Sequence, residues 1–137
     1  MALRVRKPLV TTAIYLLGYD LDPAHITQVL GVEPSSSQIK GGFKPGSARH
    51  IARTGMWTIM IESDSRSASE MVDELLQRLE NSGRRLDRIK GVQNAHLDVL
   101  FALDDGEGSK QTIEFKLTRT QVSKLSQLGL GACITVM

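Results

Sequence analysis

Leu97-Asp98-Val99-Leu100-Phe101-Ala102-Leu103, answered further on by Ile113-Glu114-Phe115-Lys116-Leu117, is the stretch whose reading decides the expected fold. Both segments place an apolar residue at every second position, the period at which a strand buries one face. Residues 104–110 between them are polar and carry Gly106 and Gly108, so the pair reads as a β-hairpin.

Working outward, Thr118-Arg119-Thr120-Gln121 is a capping box, flanked by Leu117 and Val122 at the positions of a hydrophobic staple. It opens a helix that runs through Leu125 and Leu128 to Gly129, and residues 132–136 form a last strand. On the other side, Trp57, Ile59 and Ile61 alternate in a strand over 56–62. Ser67-Ala68-Ser69-Glu70 then starts a helix whose apolar face is Met71, Val72, Leu75, Leu76 and Leu79. Leu86 and Ile89 allow a further helical turn within the basic run 84–90. The order over 56–137 is therefore β-α-β-β-α-β, the ferredoxin-like arrangement in which two helices cover one face of an antiparallel sheet.

An extra β-α unit precedes it, within residues 1–31. Residues 9–17 are apolar on both faces apart from Thr11 and Thr12, as in a strand covered on two sides. Asp22 is an N-cap, Pro23 suits the first helical position, and Gly31 can close the helix in the left-handed conformation. Residues 32–55 then show no sustained period, and Ser35–Ser37, Gly41-Gly42 and Pro45-Gly46 are loop chemistry. The expectation is one α+β domain: a β-α unit (1–31), a long basic loop (32–55) and the six-element unit (56–137).

At 137 residues, 41% hydrophobic and 23% charged, the chain can bury a core without disulfides or metals. Its net charge of +2 is too small to point to nucleic acid. The imbalance is local: residues 1–56 carry seven Lys/Arg against three Asp/Glu, and the remainder ten against twelve. With one cysteine, Cys133, there is no intramolecular disulfide, and a reducing cytoplasm is the expected setting. The apolar run 9–17 is too short to span a membrane and lacks a signal-peptide cleavage site.

The segments Asp20-Leu21-Asp22-Pro23, Ile26 to Leu30-Gly31, Glu33-Pro34, Lys40-Gly41 after serines, Trp57, the Leu-rich helix over 71–79 and the terminal Leu-Gly element resemble a bacterial family of small proteins, domain of unknown function number 4279. The resemblance covers nearly the whole chain and departs at Thr135 and Met137, where an acidic residue and an aromatic are usual. It implies a small soluble protein for which an immunity or partner-binding role is open.

No catalytic set is visible. Asp20, Asp22 and His25 lie close together, but capping accounts for Asp22 and a metal site needs three or four converging ligands. Cys133 sits in a short apolar strand, where a small core residue is the usual identity, and Ser35–Ser37 form no nucleophile elbow. Trp57 is in phase with Ile59 and Ile61 and reads as core. The basic run 84–90 complements the negative end of the preceding helix.

The loop is the best candidate surface. Lys40, Lys44, Arg49 and Arg53 surround Gly41 and Phe43, with His50 beside them, and could receive an anionic ligand or a protein partner. The chain is thus expected to be a non-enzymatic binding or immunity-type protein using residues 35–53. A small-molecule regulatory module of ferredoxin-like type is the alternative, and an enzyme the least favoured. No cofactor, metal or membrane is expected, the few aromatics disfavour nucleic acid, and an exposed edge strand could pair two copies.

Overall fold

A computed structural model describes residues 9–47, 49–102 and 113–137. The elements run β1 (Leu9–Gly18), α1 (Pro23–Leu30), β2 (Ser36–Gln38), β3 (Gly55–Ser63), α2 (Ala68–Glu80), a 3-10 turn (Leu86–Arg88), β4 (Asn94–Ala102), α3 (Arg119–Leu128) and β5 (Gly131–Val136). They form an α+β fold with one mixed sheet, in the order β2-β3-β1-β4-β5.

The register explains the choice of β1 as the centre. Ile14 lies between Ile59 and Leu97, Leu16 between Trp57 and Ala95, and Thr12 between Ile61 and Val99, so one face of three strands is lined by apolar side chains in rows. Against that face α2 sets Met71, Val72, Leu75, Leu76 and Leu79, each at most 1% exposed. Buried residues of α1 and α3 join the same cluster. Trp57, fully buried, also donates its indole N–H to Thr27 Oγ1 at 3.0 Å and so ties α1 to β3. The other face of β1 is less covered: Thr11, Tyr15 and Leu17 are only half-buried.

Caps follow the sequence reading. Asp22 accepts from Ala24 N at 3.1 Å, Gly31 ends α1 at φ 68°, and Ser67 accepts from Glu70 N at 3.2 Å. At α3 the capping box is complete: Gln121 N donates to Thr118 Oγ1 at 3.1 Å and Thr118 N to Gln121 Oε1 at 2.9 Å.

The hairpin is where the structure departs from expectation. Residues 113–118 carry no strand, and the link 104–110 lies outside the described residues. Ile113, Phe115 and Leu117 alternate because an extended segment lays them on the core, with the Phe115 ring 6.0 Å from that of Phe101. A period of two reports one-sided burial and says nothing about hydrogen-bonded neighbours. Nor is the sheet wholly antiparallel: β4 passes through α3 to β5, and that crossover makes β5 parallel to β4. The expected ferredoxin-like order accordingly does not appear among the described strands.

Two further expectations change. The loop over 32–55 is not structureless, since it holds β2 and a second pairing described below. Cys133 is exposed rather than core, because β5 is an edge strand whose outward side chains have no covering element among the described residues. No helix among the described residues is long and apolar enough to cross a membrane.

Candidate binding surface

The candidate surface is built by turn chemistry, which has no period to detect. Ser35 begins it by fixing the chain to β3: its N–H donates to Thr58 O at 2.8 Å and its Oγ accepts from Met60 N at 3.0 Å. β2 then pairs with β3, Ser37 standing opposite Trp57. At Ile39 the chain reverses, with Gly42 N donating to Ile39 O at 3.0 Å and Gly41 at φ 85°. A second reversal follows at Lys44-Pro45-Gly46-Ser47, where Ser47 N donates to Lys44 O at 3.0 Å and Gly46 has φ 73°. Proline at the second position and a positive-φ glycine at the third are the requirements of a type II turn.

Between the reversals the two arms form a narrow ribbon. Phe43 pairs with Ile51, Lys44 N donates to His50 O at 2.8 Å, and Ala52 N donates to Gly42 O at 2.7 Å. Ser47 Oγ accepts from the backbone of both Arg49 and His50, which holds the tip. Ala52 is buried at 2% exposure and faces the body, whereas its neighbours Ile51 and Arg53 are exposed. Phe43, as the partner of Ile51, shares its outward face.

What the ribbon presents is apolar and cationic together. Phe43 is 63% exposed, Ile51 61% and Ile39 57%. Lys44, Arg49, His50 and Arg53 are exposed beside them, and no acidic residue occurs between Glu33 and Glu62. Lys40 is drawn elsewhere: its Nζ stands 3.5 Å from the centroid of the Tyr19 ring and 3.9 Å from Asp20 Oδ1. That contact is a cation–π stack at the root of the ribbon. The loop residues singled out from sequence thus divide into Phe43, Lys44, Arg49, His50 and Arg53 on the ribbon, and Lys40 with Gly41 at its base.

Ile39, Ile51 and Tyr19 were not singled out by the sequence reading. Their signal was present as large apolar residues inside polar loop chemistry, where nothing in the core pattern requires them. Asp20 faces Lys40 and Asp22 caps α1; no group of three metal-ligating side chains occurs among the described residues.

The described residues make a single mixed sheet backed by three helices, with one irregular insertion projecting as a basic, apolar ribbon. The chain belongs to the family described as a domain of unknown function (DUF4279), which matches residues 9–136. No curated protein and no solved structure matches it.

Proposed function

We propose that this protein is a non-enzymatic binding protein, of the immunity type in which one protein covers and silences another, and that its contact surface is the ribbon within 35–53. The observation that carries this reading is the Phe43–Ile51 pair, held outward on a hydrogen-bonded scaffold and rimmed by cations. Large exposed apolar side chains inside a charged rim are the composition of an interface centre. The partner that fits is a protein with an acidic edge around an apolar depression. Its acidic groups would speed encounter, and desolvation of Phe43 would supply the affinity. A reducing cytoplasm, in which Cys133 stays free, suits this role.

The test compares three forms as bait in the native host: wild type, Phe43→Ala/Ile51→Ala, and Lys44→Glu/Arg49→Glu. Proteins retained by wild type are then purified and titrated directly. Both variants should retain the wild-type melting temperature and weaken the partner at least roughly tenfold, about 1.4 kcal/mol. Unchanged affinity of every retained partner for both variants would remove the ribbon from the function. A toxin gene beside this one would place the partner in the immunity class.

A further inference from the structure

A second concentration of positive charge borders α1. His25 and Val29 of α1 face Arg84, Arg88, Ile89 and Lys90 across an open cleft of about 560 Å³. Leu86 and Ile89, 0% and 8% exposed, anchor the 3-10 turn in the core and force the charged residues between and beside them outward. The backbone positions that carry the cations are therefore held near one another. Arg85, which also borders the cleft, is satisfied: its Nε and Nη2 meet Asp87 Oδ1 and Oδ2 at 3.1 and 2.9 Å. That carboxylate lies against Gly129 at the end of α3 and does not line the cleft. Among the described residues no carboxylate is within ion-pair distance of Arg84, Arg88 or Lys90.

The helix-dipole reading of this run does not explain it. α2 ends at Glu80 and already carries Arg78 in its last turn, with Asn81, Ser82 and Gly83 intervening before Arg84. Three cations around one concave surface, none in an ion pair among the described residues although the Asp87 charge reaches Arg88, repel one another, and a multiply charged anion removes that cost. Guanidinium groups supply forked donors that match phosphate oxygens, and the imidazole of His25 adds a further donor at the opposite wall. Val29, half-buried on the same wall, leaves an apolar strip for an uncharged portion of a ligand. The volume is within the range of pockets for compact organic ligands.

We infer that this cleft binds a small organic phosphate carrying at least two negative charges, with Arg84, Arg88 and Lys90 holding the phosphates and Val29 contacting the organic part. A compact ligand suits the site better than a nucleic acid. The cations arise from one turn around one depression, whereas a polyanion is read by charges tracking along a surface with aromatic platforms. The site is independent of the ribbon, and the function proposed for the ribbon stands or falls separately.

Calorimetric titration with ADP, pyrophosphate, adenosine and a labelled RNA oligonucleotide, at about 150 mM salt, tests the inference. ADP should saturate one site, pyrophosphate should bind several-fold more weakly, and adenosine should give no heat. Arg84→Gln/Arg88→Gln should weaken ADP at least roughly tenfold, while Lys44→Glu/Arg49→Glu in the ribbon leaves it unchanged. Both arginines are exposed, so an unaltered melting temperature accompanies the loss. Absence of saturable ADP binding, equal affinity for pyrophosphate, tighter binding of RNA per phosphate, or indifference to the double substitution would each overturn it.

Discussion

Gln121 offers the sharpest test of how the two long helices are joined. It is fully buried; its Oε1 completes the α3 cap at Thr118 N, and its Nε2 crosses to α2, reaching Ser69 O and Ser69 Oγ at 3.1 Å and Asp73 Oδ1 at 2.9 Å. Gln121→Leu removes the reciprocal cap bond and the donors to α2. At about 1 kcal/mol for each net bond, with Ser69 and Asp73 partly recovering water, the loss is about 2 kcal/mol. Gln121→Glu keeps the acceptor and replaces the donor with a second carboxylate beside Asp73. Two like charges about 4 Å apart cost about 4 kcal/mol at an effective dielectric of 20, and the exposure of Asp73 reduces this to about 1–2 kcal/mol. With the cap bond kept and the donor lost, Gln121→Glu should therefore lose about 2–3 kcal/mol at neutral pH. Burial and repulsion both raise the folded-state value of the new glutamate above its unfolded one. Its protonated form, which donates, is favoured in the folded state below the unfolded value of about 4.3, and that advantage disappears as pH rises through the raised folded value. Urea unfolding of both variants between acid and neutral pH reads this directly. If the two variants are equally stable at every pH, the Gln121–Asp73 contact does not hold α3 to α2.

Other outcomes follow from single contacts. A Cβ at Gly18 would run into the Gly91 carbonyl, so Gly18→Ala should cost roughly 3 kcal/mol or prevent folding, measured by urea midpoint. The Glu74 carboxyl is held below the usual range chiefly by its hydrogen bond from Arg66, with Arg78 adding to the effect. A depressed value contributes stability above the unfolded value of 4.5 that is lost as pH falls through the folded one, so Glu74→Gln should be slightly less stable than wild type at neutral pH, converge with it in acid, and show a correspondingly flatter acid limb. Cys133, exposed on the edge strand, should be labelled stoichiometrically by a thiol reagent without denaturant; labelling only after unfolding would show that β5 is covered.

What the sequence made legible was every element specified by local chemistry. Asp22-Pro23 and Gly31 bounded α1, Ser67 opened α2, and Thr118 with Gln121 opened α3, because a cap is a contact within four residues and leaves its signature there. Trp57, Ile59 and Leu97 were core for the equally local reason of period. Partners were not legible. The alternation of Ile113, Phe115 and Leu117 matched that of a strand because packing on Phe101 imposes the same period as a ladder would. Cys133 resembled core because an apolar edge strand and an apolar central strand have the same composition. In the loop, the cations and Phe43 were visible one by one, but the pairing of Phe43 with Ile51 depends on the Lys44–Ser47 turn and the Ser47 Oγ bonds at the tip, which place residues eight apart side by side.

That difference between local and non-local information also separates the two basic surfaces. On the ribbon the cations flank side chains more than half exposed, so a partner of the kind proposed would gain chiefly from the removal of Phe43 and Ile51 from water, with charge guiding the approach. In the cleft the emphasis shifts to charge: Arg84, Arg88 and Lys90 border one depression, with Val29, Ile89 and the aliphatic stems of the cations as its apolar lining. Salt should consequently weaken cleft binding far more steeply than ribbon binding, since exposed charge–charge attraction is screened and apolar burial is not. Truncating Phe43 and Ile51 acts on the first alone, and neutralising Arg84 and Arg88 on the second alone. The two proposed sites are therefore separable by substitution within one folded chain, and a ligand in the cleft need not compete with a partner on the ribbon.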